Sequence, residues 1–95
     1  MKEHRLVYRV HALQAMFERG ISALVVRAVV DAGKTIQSYP EDQPYPSRLV
    51  LGWDENRPIH VVVADNEADA EIIVITTYEP DPHRGESGFE KRRVS

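Results

Sequence analysis

The chain has 95 residues, of which 42% are hydrophobic and 28% are charged, and its formal net charge is −3. This length suits one domain and excludes two separate cores. The chain has no cysteine, which excludes a disulfide framework, a thiolate metal site and a cysteine nucleophile and makes the reducing cytoplasm the expected location.

Charge is distributed unevenly along the chain. Residues 1–30 carry five basic and two acidic side chains, residues 31–90 carry four and thirteen, and residues 91–93 are Lys-Arg-Arg. The net charge alone argues against a nucleic-acid partner, because phosphate binding requires clustered lysine and arginine, yet the first third of the chain is positive. No apolar stretch approaches the ~20 residues that a membrane span requires, so we expect no membrane partner.

A first helix is predicted over residues 11–19. Leu13, Met16 and Phe17 recur there at helical spacing, and Gly20 stands where a left-handed residue ends a helix. We therefore expect these three apolar side chains to face the core.

A second helix is predicted over residues 23–32, with Ser22 as its N-cap and Gly33 at its end. The strands that follow are rich in β-branched residues, and three prolines in residues 40–46 predict a rigid loop. The predicted strands span residues 34–39, 48–53, 59–64 and 71–78.

These elements predict an α+β domain over residues 1–82. Two N-terminal helices cover one face of an antiparallel sheet of three to four strands, and the other face is left partly open to solvent. Residues 83–95 have no apolar period and are expected to form an extended or disordered tail with a basic end.

A polar stripe is predicted on the first helix. His11, Ala15, Glu18 and Arg19 fall at i, i+4, i+7 and i+8, roughly opposite the apolar side chains. Imidazole exchanges protons near neutral pH and guanidinium clamps anions, so the stripe suits phosphate chemistry. A solvated helix face is the alternative interpretation.

Three polar residues of the sheet are predicted to share a face. Thr76 and Tyr78 alternate with Thr77, and a five-residue loop over 65–69 would pair residue 60 with residue 74 and bring His60 to their face. A hydrogen-bonded structural histidine is the alternative for His60. A four-residue turn pairs residue 53 with 58 and sends Arg48 to the opposite face, whereas a one-residue bulge would reverse that placement.

Several motifs resemble one family in their order and spacing. They are the His-Ala start at 11–12, the Glu-Arg-Gly-Ile-Ser run at 18–22, the Pro-x-His-Val strand at 58–61 and Thr-Thr-Tyr-Glu-Pro-Asp at 76–81. From about Val10 to Pro82 the chain resembles the family catalogued as domain of unknown function 4258. That family resembles the RelE-like and BrnT-like toxins of bacterial toxin–antitoxin pairs, small α+β proteins that cut RNA without metal.

The resemblance implies a RelE/BrnT-like toxin fold, a ribonuclease activity without metal or cofactor, and a cognate helix-turn-helix antitoxin as partner. The matching polar positions are His11, Arg19, His60, Thr76 and Tyr78. The family usually has arginine where this chain has Ala15, so a cation is missing from the middle of the stripe. Ala15 is either a natural loss or an engineered, detoxified version.

The leading hypothesis is a metal-independent endoribonuclease toxin. One of His11, His60 or Tyr78 takes the proton from a ribose 2′-hydroxyl as it attacks the adjacent phosphate, and another protonates the leaving 5′-oxygen. Arg19 stabilises the phosphate charge and Thr76 donates a hydrogen bond. The predicted RNA-binding residues are Arg9 and Arg48.

The alternative is a non-catalytic module that docks a protein partner such as an antitoxin or regulator. It is motivated by Ala15 and by the acidic middle of the chain, which would repel RNA. Either a homo-oligomer or a toxin–antitoxin hetero-oligomer is compatible with the sequence. No histidine or carboxylate pair shows the local spacing of a helix-borne metal site, so no metal is predicted.

Overall fold

A computed structural model describes residues 4–80, which form two helices, five strands and one short 3₁₀ turn. The predicted tail over residues 83–95 lies outside the described residues. The elements in chain order are β1 (Arg5–Tyr8), α1 (Val10–Arg19), α2 (Ala23–Ala32), β2 (Lys34–Tyr39), β3 (Ser47–Asp54), β4 (Arg57–Asn66), the 3₁₀ turn (Glu67–Asp69) and β5 (Glu71–Tyr78).

Both predicted helices are confirmed, and the residues that stop and start them behave as expected. Gly20 adopts the left-handed conformation at φ 63° and ψ 41°, which a residue without Cβ takes at little cost. The Ser22 hydroxyl accepts a hydrogen bond from the Val25 backbone N–H at 3.1 Å and so satisfies an otherwise unpaired donor of α2. No helix in residues 4–80 is long and apolar enough to cross a membrane.

The sheet is mixed and has five strands in the order β1-β5-β4-β3-β2. Strands β2 to β5 are antiparallel neighbours, whereas β1 pairs in parallel with β5 from Arg5 opposite Glu71 to Tyr8 opposite Val74. The prediction of three to four antiparallel strands therefore missed one strand, β1, which is also the parallel one. Strand β1 has only four residues, and its partner lies 66 positions further along the chain, so no local turn signal announces it.

The β3–β4 hairpin has the predicted register, with Trp53 opposite Pro58. His60 pairs with Leu51 and Arg48 pairs with Val63, so these two side chains point to opposite faces of the sheet. The β3–β4 hairpin therefore has no bulge, and Arg48 lies on the face opposite His60, as the four-residue turn predicted.

The β4–β5 register differs from the expected one. His60 lies opposite Tyr78 rather than opposite residue 74, because the Glu67–Asp69 turn pairs Asn66 with Glu71 and the register shifts again between Val62 and Val63. The face assignment nevertheless holds. Thr76 lies opposite Val62, two positions from the His60 pair, so His60, Thr76 and Tyr78 share a face.

The main core lies between the two helices and one sheet face. Its buried members include Ala12 and Met16 of α1, Val26, Val29 and Val30 of α2, and Val50, Ile59, Val61, Val63 and Val74 of the sheet. On the other face, Leu49, Leu51, His60 and Val62 are each at most 6% exposed. This face is closed at the centre of β3 and β4, whereas Trp53 is 52% exposed and Thr76 and Tyr78 are partly exposed, so it is partly open to solvent as expected.

Helix α1 presents a different side to the core than its pattern predicted. Ala12, Ala15 and Met16 are its buried residues, whereas Leu13 is 50% exposed and Phe17 is 78% exposed. Small alanines allow the helix to approach strand β5 closely, and Leu13 and Phe17 remain on the solvent side. Ala15 is thus a packing residue and not a member of a solvated stripe.

Candidate functional site

The closest pair of predicted site residues is His60 and Tyr78. They occupy facing positions on β4 and β5, with the His60 Nδ1 3.5 Å from the Tyr78 hydroxyl and the ring centroids 5.4 Å apart in an edge-to-face arrangement. His60 is fully buried and Tyr78 is partly exposed. Tyr78 is therefore the accessible member of the pair, and the buried His60 imidazole lies next to its hydroxyl.

Thr77 anchors the two strands where this pair forms. Its side chain is fully buried, and its hydroxyl donates a hydrogen bond to the His60 carbonyl oxygen at 2.8 Å. Within residues 4–80 no buried side-chain nitrogen or oxygen lacks a hydrogen-bond partner. Sequence reasoning missed Thr77, because a threonine next to Thr76 on the opposite face carries no signal that it bonds across the sheet.

The helix residues of the predicted site are solvent-exposed. His11 lies in the first turn of α1 and Arg19 in its last turn. Arg9, just before the helix, donates its backbone N–H to the Val74 carbonyl oxygen at 3.1 Å and so ties the start of α1 to β5, while its side chain remains exposed. Helix α1 packs against β5, the strand that carries Thr76 and Tyr78.

Arg57 fixes the other end of α1 and was not predicted. Its guanidinium donates to the carbonyl oxygens of Arg19 and Gly20 at 2.6 and 3.1 Å, and its Nε lies 3.5 Å from a Glu79 carboxylate oxygen. A cation at this position satisfies the last carbonyls of the helix and interacts favourably with the helix dipole. Arg57 thereby places Arg19 beside the ends of β4 and β5.

Arg48 is separated from the predicted site residues of β4 and β5. It lies on the face opposite His60 and forms a bidentate ion pair with Asp65, at 2.9 and 3.1 Å. One of its terminal nitrogens also donates to the Thr35 hydroxyl at 3.3 Å. An arginine engaged in this way must break a two-bond pair before it can bind a phosphate.

The arginines of residues 4–80 divide into two groups. Four of the six form ion pairs, namely Arg5 with Glu71, Arg27 with Asp31, Arg48 with Asp65 and Arg57 with Glu79. In this part of the chain, Arg9 and Arg19 are the two without an acidic partner, and both belong to the predicted site. Their charges are available to an anion from outside.

No cluster of three or more histidine, aspartate or glutamate side chains that could hold a metal ion occurs in residues 4–80. The predicted site residues themselves carry imidazole, phenol, hydroxyl and guanidinium groups. These groups exchange protons and bind anions.

The fold and the site together describe a small α+β protein with a buried histidine beside a partly exposed tyrosine on its sheet. Residues 8–79 match the family model described as domain of unknown function (DUF4258), and the chain belongs to this family. No curated protein and no solved structure matches the chain.

Proposed function

We propose that this protein is a metal-independent endoribonuclease, the toxin of a toxin–antitoxin pair, with RNA as substrate and a helix-turn-helix antitoxin as partner. The observation that carries the proposal is the 3.5 Å approach of the His60 imidazole and the Tyr78 hydroxyl on one sheet face. A partly exposed phenol backed by an imidazole is a group that moves a proton at the surface of a protein. The resemblance to RelE-like and BrnT-like toxins supports the same reaction.

In the proposed reaction the ribose 2′-oxygen loses its proton and attacks the adjacent phosphorus. The bond from phosphorus to the 5′-oxygen breaks, the 5′-oxygen takes up a proton, and the products carry a 2′,3′-cyclic phosphate and a 5′-hydroxyl. Tyr78, backed by His60, and His11 are the proton carriers, and either can serve as base or acid. Thr76, on the face of Tyr78, donates a hydrogen bond to the phosphate.

The phosphate is bound by the exposed arginines next to α1. Arg9 and Arg19 have no acidic partner among residues 4–80, whereas Arg48 is held by Asp65 on the opposite face and is left out of this site. Guanidinium groups stabilise the charge that develops on phosphate oxygens as the bond breaks. The positive first third of the chain thereby supplies the RNA-binding surface of a protein that is acidic as a whole.

Ala15 weakens this enzyme in the proposal. The position is 1% exposed, between His11 and Arg19 on α1, where the family usually has arginine. An arginine there can bury its aliphatic stem against β5 and extend its guanidinium past the edge of the helix. Removing one such contact from a transition state typically costs about 2.7–4 kcal/mol, or roughly 10²–10³ in rate.

To test the proposal, the protein and its Ala15→Arg variant are incubated with single-stranded RNA in EDTA, and the 3′ ends of the fragments are analysed. We expect cleavage by both, faster with Ala15→Arg, and 2′,3′-cyclic phosphate ends. Circular dichroism and thermal melting verify that the variant folds. Absence of cleavage by a folded Ala15→Arg protein would refute the proposed ribonuclease activity.

A second candidate function is a non-catalytic module that binds a protein partner. It is favoured by the large exposed apolar side chains of the helices, Val10, Leu13, Phe17 and Leu24, and by the complete burial of His60. A complex with the product of the neighbouring open reading frame that survives His11→Ala and His60→Ala, together with no growth arrest by the Ala15→Arg form, would favour this module. Growth arrest that requires both histidines would favour the nuclease.

A further inference from the structure

The solvent side of α1 carries a stripe of three large apolar residues, Val10, Leu13 and Phe17, which we call the α1 stripe. Val10 is 71% exposed, and the other two are at least half exposed. They recur at i, i+3 and i+7, the spacing of a seam between two packed helices. The core does not use this stripe, since α1 buries Ala12, Ala15 and Met16 instead.

The α1 stripe is complementary to itself when two copies of the helix run antiparallel. With Leu13 and Gln14 at the centre, Val10 of one copy faces Phe17 of the other, and the two Leu13 side chains meet near the twofold axis. A twofold axis between the helices repeats this contact, so one surface serves both copies. Because each copy uses its α1 stripe in this contact, the pair is closed and does not extend into a filament.

The charged rim of the stripe fits the same arrangement. His11 and Glu18 are both exposed, lie on one side of the stripe and sit near opposite ends of the helix. In an antiparallel pair related by a twofold axis, the flank that carries His11 and Glu18 lies beside the same flank of the other helix. The N-terminal end of one helix is then next to the C-terminal end of the other. The His11 imidazole of each copy then donates to the Glu18 carboxylate of the other, so the pair gains two equivalent polar contacts.

We propose that the occupant of the α1 stripe is a second copy of this chain, in a twofold dimer of antiparallel α1 helices. The inference does not depend on ribonuclease activity. Because the dimer contact engages His11, the dissociated monomer is the form in which His11 is available as a proton carrier in the proposed function. A ten-residue helix contributes a small interface, and interfaces below about 1,200 Å² in total are typically weak and reversible. The dimer is therefore expected at micromolar concentrations and above, with dissociation on dilution.

Sedimentation equilibrium over a concentration series tests the dimer. Phe17→Glu should raise the dissociation constant at least about tenfold, because it places a charge in the apolar seam. Glu41→Lys, in the loop after β2, is the matched control for a charge change on an exposed acid and should leave the constant unchanged. A wild-type chain that stays monomeric throughout, or a dimer that Phe17→Glu does not weaken, would overturn the proposal and leave the stripe to a different partner.

A charge swap tests the antiparallel register. His11→Glu places two like charges opposite each other and Glu18→Lys faces lysine with histidine, so each single change should weaken the dimer about threefold to fivefold. The double variant His11→Glu/Glu18→Lys restores opposite partners and should return the dissociation constant to near the wild-type value. If both single changes weaken the dimer and the double variant weakens it further, the antiparallel pairing is wrong.

Discussion

The Thr77 hydroxyl shows how one buried atom can hold a candidate site in place. It donates to the His60 carbonyl oxygen at 2.8 Å, at the step of the β4–β5 ladder where His60 meets Tyr78. Thr76, its neighbour, points to the other face and is partly exposed. The two adjacent threonines thus have different roles, since one supports the sheet and the other faces the substrate in the proposed reaction.

Replacing Thr77 by valine should lower the free energy of unfolding by about 1–3 kcal/mol, because the variant keeps the shape and loses the donor to a buried carbonyl. Thr76→Val is the matched control and should change stability by less than about 0.5 kcal/mol, because its side chain is not fully buried. Urea denaturation measures both. Equal losses in the two variants would show that the Thr77 hydrogen bond does not stabilise the fold.

Sequence reasoning identified the local elements correctly because their signals are local. Gly20 and Ser22 mark where α1 ends and α2 begins, and the turn between β3 and β4 has the predicted length. It missed what depends on distant contacts. The short parallel strand β1, the shift between Val62 and Val63, and the side of α1 that faces the core are all set by packing between elements.

The candidate site follows the same division. Alternation along β5 predicted that Thr76 and Tyr78 share a face, and the predicted β4–β5 hairpin placed His60 there as well. The structure has these three residues on one face, but through a register that sequence reasoning did not foresee. The roles of Thr77 and Arg57 depend on hydrogen bonds to residues 17 and about 38 positions away, which no local pattern announces. Sequence alone could identify most of the candidate site residues but not Thr77 and Arg57, which hold the surrounding elements in position.

Helix α2 packs on β3 at a position where only glycine fits. A Cβ on Gly52 would lie 2.6 Å from the Val29 Cγ2 and 2.9 Å from its Cγ1. Valine in a helix has one strongly preferred rotamer, so its methyl groups do not turn away easily. The helix must therefore shift if position 52 gains a side chain.

Gly52→Ala should lower the free energy of unfolding by about 1–3 kcal/mol through overpacking. Val29→Ala creates space at the same point, so the double variant should be less destabilised than the sum of the two single changes. Denaturant unfolding of all four proteins gives the coupling energy. Simple additivity would mean that the alanine methyl at position 52 does not meet Val29.

At the scale of the molecule, the net charge of −3 conceals two arginines without an acidic partner in residues 4–80. Arg9 precedes α1 and Arg19 is its last residue, while the other four arginines of this part of the chain are paired with acids. A protein that is acidic in sum can therefore present positive charge at the two ends of one helix. In the proposed function RNA approaches this helix, because attraction at short range is set by the local field.

Replacing Arg9 and Arg19 together by glutamine should weaken binding of single-stranded RNA. It should also reduce the slope of log K against log salt concentration by about 1.4, because each phosphate contact on a single strand contributes about 0.7. The matched control is Arg5→Gln/Arg27→Gln, which removes the same charge from arginines that are ion-paired. A control that lowers the slope as much as the test variant would mean that RNA binds elsewhere on the surface.

The central claim is that a proton passes through the Tyr78 hydroxyl during RNA cleavage. The most direct measurement is the single-turnover rate in EDTA for the parent chain, Tyr78→Phe and Tyr8→Phe, the last a matched loss of a hydroxyl in β1. We predict a drop of at least about 10²-fold for Tyr78→Phe, the usual contribution of a proton carrier, and a near-parent rate for Tyr8→Phe. Equal rates in all three proteins would contradict the account.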